Sequence, residues 1–346
     1  MILFSLKHAC LDGVSAVKFV EQFMNCMNEI SSRVTNADMH TISFPLLPSG
    51  HDLVTQKKIG HSIFRSMVTI FGLRPVLDFL LGKMISYVLK KKAINPYYIR
   101  YPHLQSAEIR PESQPCLNLK AFSMEETKSI VDACRANGCT VTGAITAAVH
   151  LAFYDLIGEK DEEKTKLETF YPLNNRSYGD PKAPEEYLGY FVYFLSKYMK
   201  YPRCSQGDFW MMAKESTVQL KQTVSKKAFM TEMSLMSVLD PKLLLDSYCD
   251  ESAFLKSITN VISSYGVFNS YNSQASQMTY SLENCYVLPI VRGNNTMFTH
   301  FVYTINDKLT WMIISDVHIP SAHAGQFSNY SFNILLNNCS VVEKSM

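Results

Sequence analysis

His8-Ala9-Cys10-Leu11-Asp12-Gly13 places a histidine ahead of an Asp-Gly pair, at the point where an apolar run gives way to helical spacing. Met1 to Leu6 is short and apolar, which predicts a buried strand. Beyond Gly13, apolar residues recur at Val17, Val20, Phe23 or Met24, Met27 and Ile30, one face of a helix. A histidine on the exit of a strand is held firmly and can still face a cleft. Imidazole titrates near neutrality, so it can stand unprotonated and take a proton from a nucleophile. A plainer reading stands beside this one. Asp12 is a good N-cap and Gly13 eases helix entry, so Asp-Gly is equally a helix start. By composition, H-x-x-x-D-G arises by chance in about one chain in a hundred of this size, so the motif needs support from elsewhere.

The chain has 346 residues, of which 47% are hydrophobic and 18% charged, values that describe a globular protein of about two units. A net charge of +2 offers no basic field for nucleic acid, and Lys90-Lys91-Lys92 reads as a solvated helix end. The nine cysteines are scattered, without C-x-x-C pairs or interleaved histidines. That pattern argues against a zinc site or a disulfide framework and fits a reducing, cytoplasmic compartment. His150, His300, His318 and His323 show no spaced carboxylate or cysteine partner and are read as structural. Met67 to Leu89 is the most apolar long segment. Arg74, Pro75, Asp78 and Lys83 within it disfavour a span and favour a broken amphipathic pair, a candidate for peripheral lipid contact or an acyl cleft.

Irregular chain is expected over 31–56, helices over 57–72 and 75–92, and a Pro-punctuated linker over 93–115 whose Tyr97, Tyr98 and Tyr101 pack against a surface. A second unit starts at Cys116. It opens with a strand at Leu117–Ala121, a capping box at Ser123 and Glu126, and a helix ending at Asn137-Gly138. A second helix follows from Thr140, with Ile145, Val149, Ala152, Phe153 and Leu156 on its buried face. A strand ends at Tyr171-Pro172, and helices are expected over 206–225 and 241–247. Strands are expected over 258–264, 277–292, 297–305 and 308–316, the last two joined as a hairpin at Asn306-Asp307. A last helix covers 320–337. Strands and helices mix without strict alternation, which predicts an α/β (α+β) chain built on a mixed sheet flanked by helices.

Four features occur in one order: the His8/Asp12/Gly13 motif; Phe122-Ser123-x-Glu125-Glu126-Thr127 through Cys139-Thr140-Val141; Pro172-Leu173-Asn174-Asn175-Arg176 with a later Leu188-Gly189-Tyr190; and Ile262-Ser263-Ser264-Tyr265-Gly266. This order resembles the CoA-dependent acyltransferase superfamily, which includes chloramphenicol acetyltransferase, condensation domains, alcohol acetyltransferases and polyketide-associated acyltransferases. The resemblance implies a two-lobed fold, with residues 1–115 the remainder of an incomplete, N-terminally truncated first lobe and 116–346 the second. It implies acyl-CoA as co-substrate, no permanently bound cofactor, and no metal. His8 would be the general base acting on a hydrophobic alcohol or amine. Asp12 and Arg176 would form a structural ion pair, with Gly13 the motif glycine. Ser263, Ser264 and Gly266 would line the tunnel or oxyanion site. Lys7 stands where condensation domains carry a second histidine, which disfavours peptide-bond synthesis on carrier proteins. The expected protein is a monomer. The other expectation is a catalytically impaired acyltransferase-like fragment that binds acyl-CoA or serves as an interaction module.

Overall fold

The computed structural model describes residues 2–32, 46–55, 66–67, 70–104, 114–158, 167–199, 208–227, 229–230, 233, 258–268, 279–287 and 296–340. Helix α1 runs Gly13–Ser32, α2 Gly50–Thr55, α3 Arg74–Lys91 and α4 Pro96–Arg100. Then come β1 Leu117–Ala121, α5 Met124–Ala136, α6 Val141–Ile157, β2 Leu167–Asn174, β3 Val192–Met199 and α7 Phe209–Lys226. The chain closes with β4 Ile258–Phe268, β5 Thr296–Ile305, β6 Lys308–Ser315 and α8 Ser321–Cys339.

The six described strands form one sheet in the order β1-β6-β5-β4-β2-β3. Its centre, β5-β4-β2, is parallel, and the flanking pairs β1-β6, β6-β5 and β2-β3 are antiparallel. Strand alternation assigns two faces. Phe298 and Val302 of β5, with Leu309, Trp311 and Ile313 of β6, join the core built by α5, α6 and α8. Their neighbours Phe301, Tyr303 and Ile305, with Met312 and Ile314, point the other way and meet Val17 of α1. A bulge between Ser264 and Gly266 of β4 shifts this register, and Gly266 takes φ +96, a conformation open to glycine. The extra residue turns Phe268 toward the α1 face.

Local chemistry places the element ends. Ser123 and Glu126 exchange both bonds of the capping box on α5, and Thr140 caps α6 through the Gly143 N–H. Asn306 and Asp307 take φ 50 and 59, so the β5-β6 hairpin closes on two left-handed residues that favour Asn and Asp. Helix α6 is buried on every side from Gly143 to Tyr154, not on one face. It lies between α7, α8 and the sheet, and its composition, nearly free of charge, fits that surround. Tyr97 and Tyr98 are buried, so the Pro-rich stretch packs down as expected.

Four expectations need correction. Gly50–Thr55, within the stretch expected to be irregular, forms helix α2. Residues 2–7 form no strand, and Ile2 and Leu3 are exposed. No described strand lies beside them to accept their backbone bonds, and a strand without a neighbour does not hold. The described part of 277–292, residues 279–287, is not a strand, although Cys285 and Leu282 accept bonds from Tyr303 and Asn306. Strand β3 was not expected; it pairs with β2 along its whole length. The expected helix over 241–247 and most of that over 57–72 lie outside the described residues.

His150 and His300 are fully buried on the α6 face. Trp311 Nε1 donates to His300 Nδ1 at 3.3 Å, leaving His300 Nε2–H to donate to Asn260 Oδ1 at 3.0 Å. His150 Nε2 meets Thr169 Oγ1 at 2.9 Å. Burial pushes both imidazoles down to about 3, for His300 with a smaller contribution from His150. An unfolded histidine binds its proton near pH 6.5, so below that pH the unfolded chain holds more protons and stability falls with acid toward pH 3. Urea unfolding at pH 7 and pH 5 should differ by roughly 2 kcal/mol for each of these histidines. Equal stability at the two values would show that the core tolerates the charge.

Candidate functional site

The motif sits in a turn, with Cys10 N–H bonded to Lys7 O at 2.9 Å. The His8 ring is exposed, and its Nδ1 lies 2.8 Å from the Leu11 carbonyl. A carbonyl only accepts, so a neutral ring carries its proton on Nδ1 and leaves Nε2 bare. The edge of the ring meets Tyr190, centroid to centroid 5.8 Å. Burial raises the Tyr190 phenol above its ordinary value, and the Asp12 charge adds to this, so it stays protonated at neutral pH.

Asp12 is both the helix cap and an ion-pair partner; the two readings of Asp-Gly turn out not to compete. Its Oδ1 accepts the Ser15 N–H at 2.7 Å and Arg176 Nη2 at 3.1 Å. Its Oδ2 accepts Arg176 Nη1 at 2.8 Å and the Phe191 N–H at 2.9 Å. Two oxygens thus receive four donors, in a group 1% exposed facing a guanidinium 6% exposed. Arg176 reaches this point because β2 ends at Asn174 and a single 3-10 turn, Arg176–Tyr178, follows. Asn174 Oδ1 accepts from both the Arg176 N–H and its Nη1, while the guanidinium lies 4.6 Å over the Phe191 ring.

Ser15 completes the arrangement and was not singled out from sequence. Its hydroxyl donates to the Gly189 carbonyl at 2.7 Å and accepts from the Gly189 N–H and from Arg176 Nη2. Asp12 N–H also bonds Gly189 O, at 3.2 Å. The stretch Gly189–Phe191 is therefore bound to the start of α1 from both sides. The spacing D-G-x-S held the signal, since N3 of a capped helix faces back over its own cap.

Strand β4 meets the motif through Tyr265. A Cβ on Gly13 would stand 2.2 Å from the Tyr265 ring, so glycine is required there for close approach. Tyr265 stacks on Tyr303 at 6.0 Å. Burial raises its phenol, against a smaller opposing effect of Ser263. Ser263 is buried on this side, whereas Ser264 and Gly266 are exposed at the bulge. No described hydrogen bond joins Ser263, Ser264 or Gly266 to His8. Lys18 adds an outer contact, bridging Glu21 at 3.0 Å and Glu186 at 3.2 Å.

His323 and His318 make local side-chain contacts away from the motif. His323 Nδ1 meets the Tyr97 hydroxyl at 2.7 Å. His318, expected to lack a carboxylate partner, has one: Asp316 Oδ1 lies 2.5 Å from its Nδ1, in the turn after β6. No group of three or more metal-ligating side chains occurs among the described residues.

A family model described as "Alcohol acetyltransferase" matches residues 1–307. No curated protein sequence matches the chain. Among solved structures, the trichothecene 15-O-acetyltransferase TRI3 from Fusarium sporotrichioides is similar at 13% identity and TM-score 0.59, over 95% of this chain and 64% of that one. The epimerization domain from the third module of tyrocidine synthetase B gives 11% and 0.56, over 96% and 68%. Polyketide synthase associated protein 5 from Mycobacterium tuberculosis gives 11% and 0.54, over 97% and 72%. The chain thus spans about two-thirds of the length of each. At such identities the likeness establishes the fold, a mixed α/β architecture of the condensation-domain and acetyltransferase kind.

Removing either member of the buried pair orphans the other charge. Asp12→Ala should cost about 3–5 kcal/mol in denaturant unfolding, and Arg176→Ala a similar amount. A double variant should cost less than the sum, because the second removal strands nothing further. Additive losses would show that the two charges do not depend on each other.

Proposed function

The chain belongs to the alcohol acetyltransferase family, and from that premise we propose that it moves an acyl group from an acyl-CoA thioester to the hydroxyl, or amine, of a hydrophobic acceptor. The family makes acyl transfer the general activity. The donor, the acceptor and the role of each residue are our reading.

The observation that carries it is the bond from His8 Nδ1–H to the Leu11 carbonyl, which leaves Nε2 free on an exposed ring. In the proposed step, Nε2 takes the acceptor's O–H proton as that oxygen attacks the thioester carbonyl. A C–O bond forms and the carbonyl π pair moves to oxygen. When the oxyanion collapses, the C–S bond breaks, and the thiolate takes the proton back from the imidazolium. Ester and free thiol leave, and the ring is neutral again. A base so placed is worth roughly 10²–10⁴ in rate. Asp12 and Arg176 touch no reacting atom in this scheme. They hold the turn that orients His8, while Tyr190 limits one side of the ring. Tyr265 holds α1 at its distance from β4, with Ser263, Ser264 and Gly266 forming the nearby wall.

We place residues 1–115 with a first lobe and 116–346 with a second, the reacting centre lying where α1 meets β2 and β4. Acyl-CoA enters as co-substrate, and the protein works as a cytoplasmic monomer; cysteine usage supports a reducing compartment.

Thiol release from a panel of acyl-CoAs with long-chain and aromatic alcohols tests the reading. His8→Ala should lower the rate at least a hundredfold while costing no more than about 1 kcal/mol in unfolding, because the ring is exposed and makes one hydrogen bond. Turnover unaffected by His8→Ala overturns the assignment of the base. Acyl-CoA binding without turnover in the unaltered chain supports a binding module instead.

A further inference from the structure

We propose that the exposed apolar face of α3, with the turn before it, seats this protein on the surface of an anionic lipid bilayer. Val76, Leu80, Met84 and Tyr87 follow one another at helical spacing on α3 and are each more than half exposed, as is Phe79 beside them. Phe71, in the preceding turn, is likewise 66% exposed. Soluble monomers rarely leave a stripe of large apolar side chains open to water, because each costs free energy in proportion to its area. Other exposed apolar side chains, such as Ile99 and Val267, do not line up along one helix as these do.

Charge selects the occupant. Helix α3 holds four basic residues and one acidic residue, and that one, Asp78, is paired with Arg74 at 3.8 Å. Lys83 Nζ lies 4.5 Å from the Phe79 ring centre, and Lys91 Nζ lies 4.4 Å from that of Tyr87. Aromatic bodies capped by ammonium groups are what the headgroup layer accommodates, with rings at the acyl boundary and cations at the phosphates. A second copy of this face would bring the same lysines together and be repelled. No single described helix is long and apolar enough to cross a membrane, so the contact is peripheral.

Flotation of the full chain with phosphatidylcholine vesicles, with and without phosphatidylserine, tests this without reference to acyl transfer. Binding is expected to the serine-containing vesicles and to weaken with salt. Lys83→Glu/Lys91→Glu should reduce it by roughly tenfold or more, and Leu80→Asp/Met84→Asp should abolish it. All four side chains are solvent-exposed, so thermal unfolding should match the parent. No binding to serine-containing vesicles, equal binding to neutral ones, or undiminished binding by both variants overturns the proposal. So does a dimer of the parent chain that Leu80→Asp/Met84→Asp converts to monomer, which assigns the face to a second copy.

Discussion

A carboxylate taken out of water has to be met by donors on every side, and Asp12 is met by four. The Arg176 guanidinium supplies two, and the N–H groups of Ser15 and Phe191 supply the others. The ion pair itself adds little net stability, because removing two charges from water costs about what their attraction returns. What it imposes is position. A guanidinium fork and a carboxylate meet in one plane, so the start of α1 cannot slide or rotate over the end of β2 without stranding a charge. The site inherits its geometry from that restriction.

The sheet provides the second restriction. Its α6 face is sealed by helices and holds two neutral histidines, Trp311 and a helix buried all round. Its other face receives α1. The bulge at Gly266 lies at the boundary, where β4 runs under the motif. Without that extra residue, Tyr265 and Phe268 would fall on opposite faces, and the bed for α1 would lose one of them. Gly13 and Gly266 thus serve a single contact, one by lacking a side chain over Tyr265 and the other by turning the strand beyond it.

Local signals were legible in the sequence wherever one short segment decided the outcome. The capping box at Ser123 and Glu126, the Asn306-Asp307 hairpin and the start of α1 at Asp12-Gly13 all appear as read. The pairing of Asp12 with Arg176 was reached through resemblance, and the structure brings the two together. What could not be read depends on partners distant in sequence. Met1 to Leu6 has the apolar character of a strand, but residues 2–6 have no strand beside them among the described residues. Strand β3 exists because β2 offers an edge. Tyr265 and Tyr190 became site residues only when remote segments met, whereas Ser15 was marked by its spacing from Asp12.

The energies at the motif are unevenly divided, and the division bears on what His8 is for. Asp12, Ser15 and Arg176 are buried and mutually bonded, and losing one disturbs the fold whatever the chemistry. His8 is exposed, and its single hydrogen bond, within its own turn, is worth about 1 kcal/mol. In the proposed scheme His8 is not asked to hold the fold together. Yet the bond it does make fixes which nitrogen is protonated, a property of no consequence to packing and decisive for proton transfer. The buried clasp therefore makes physical sense as the support, and the exposed imidazole as the thing supported.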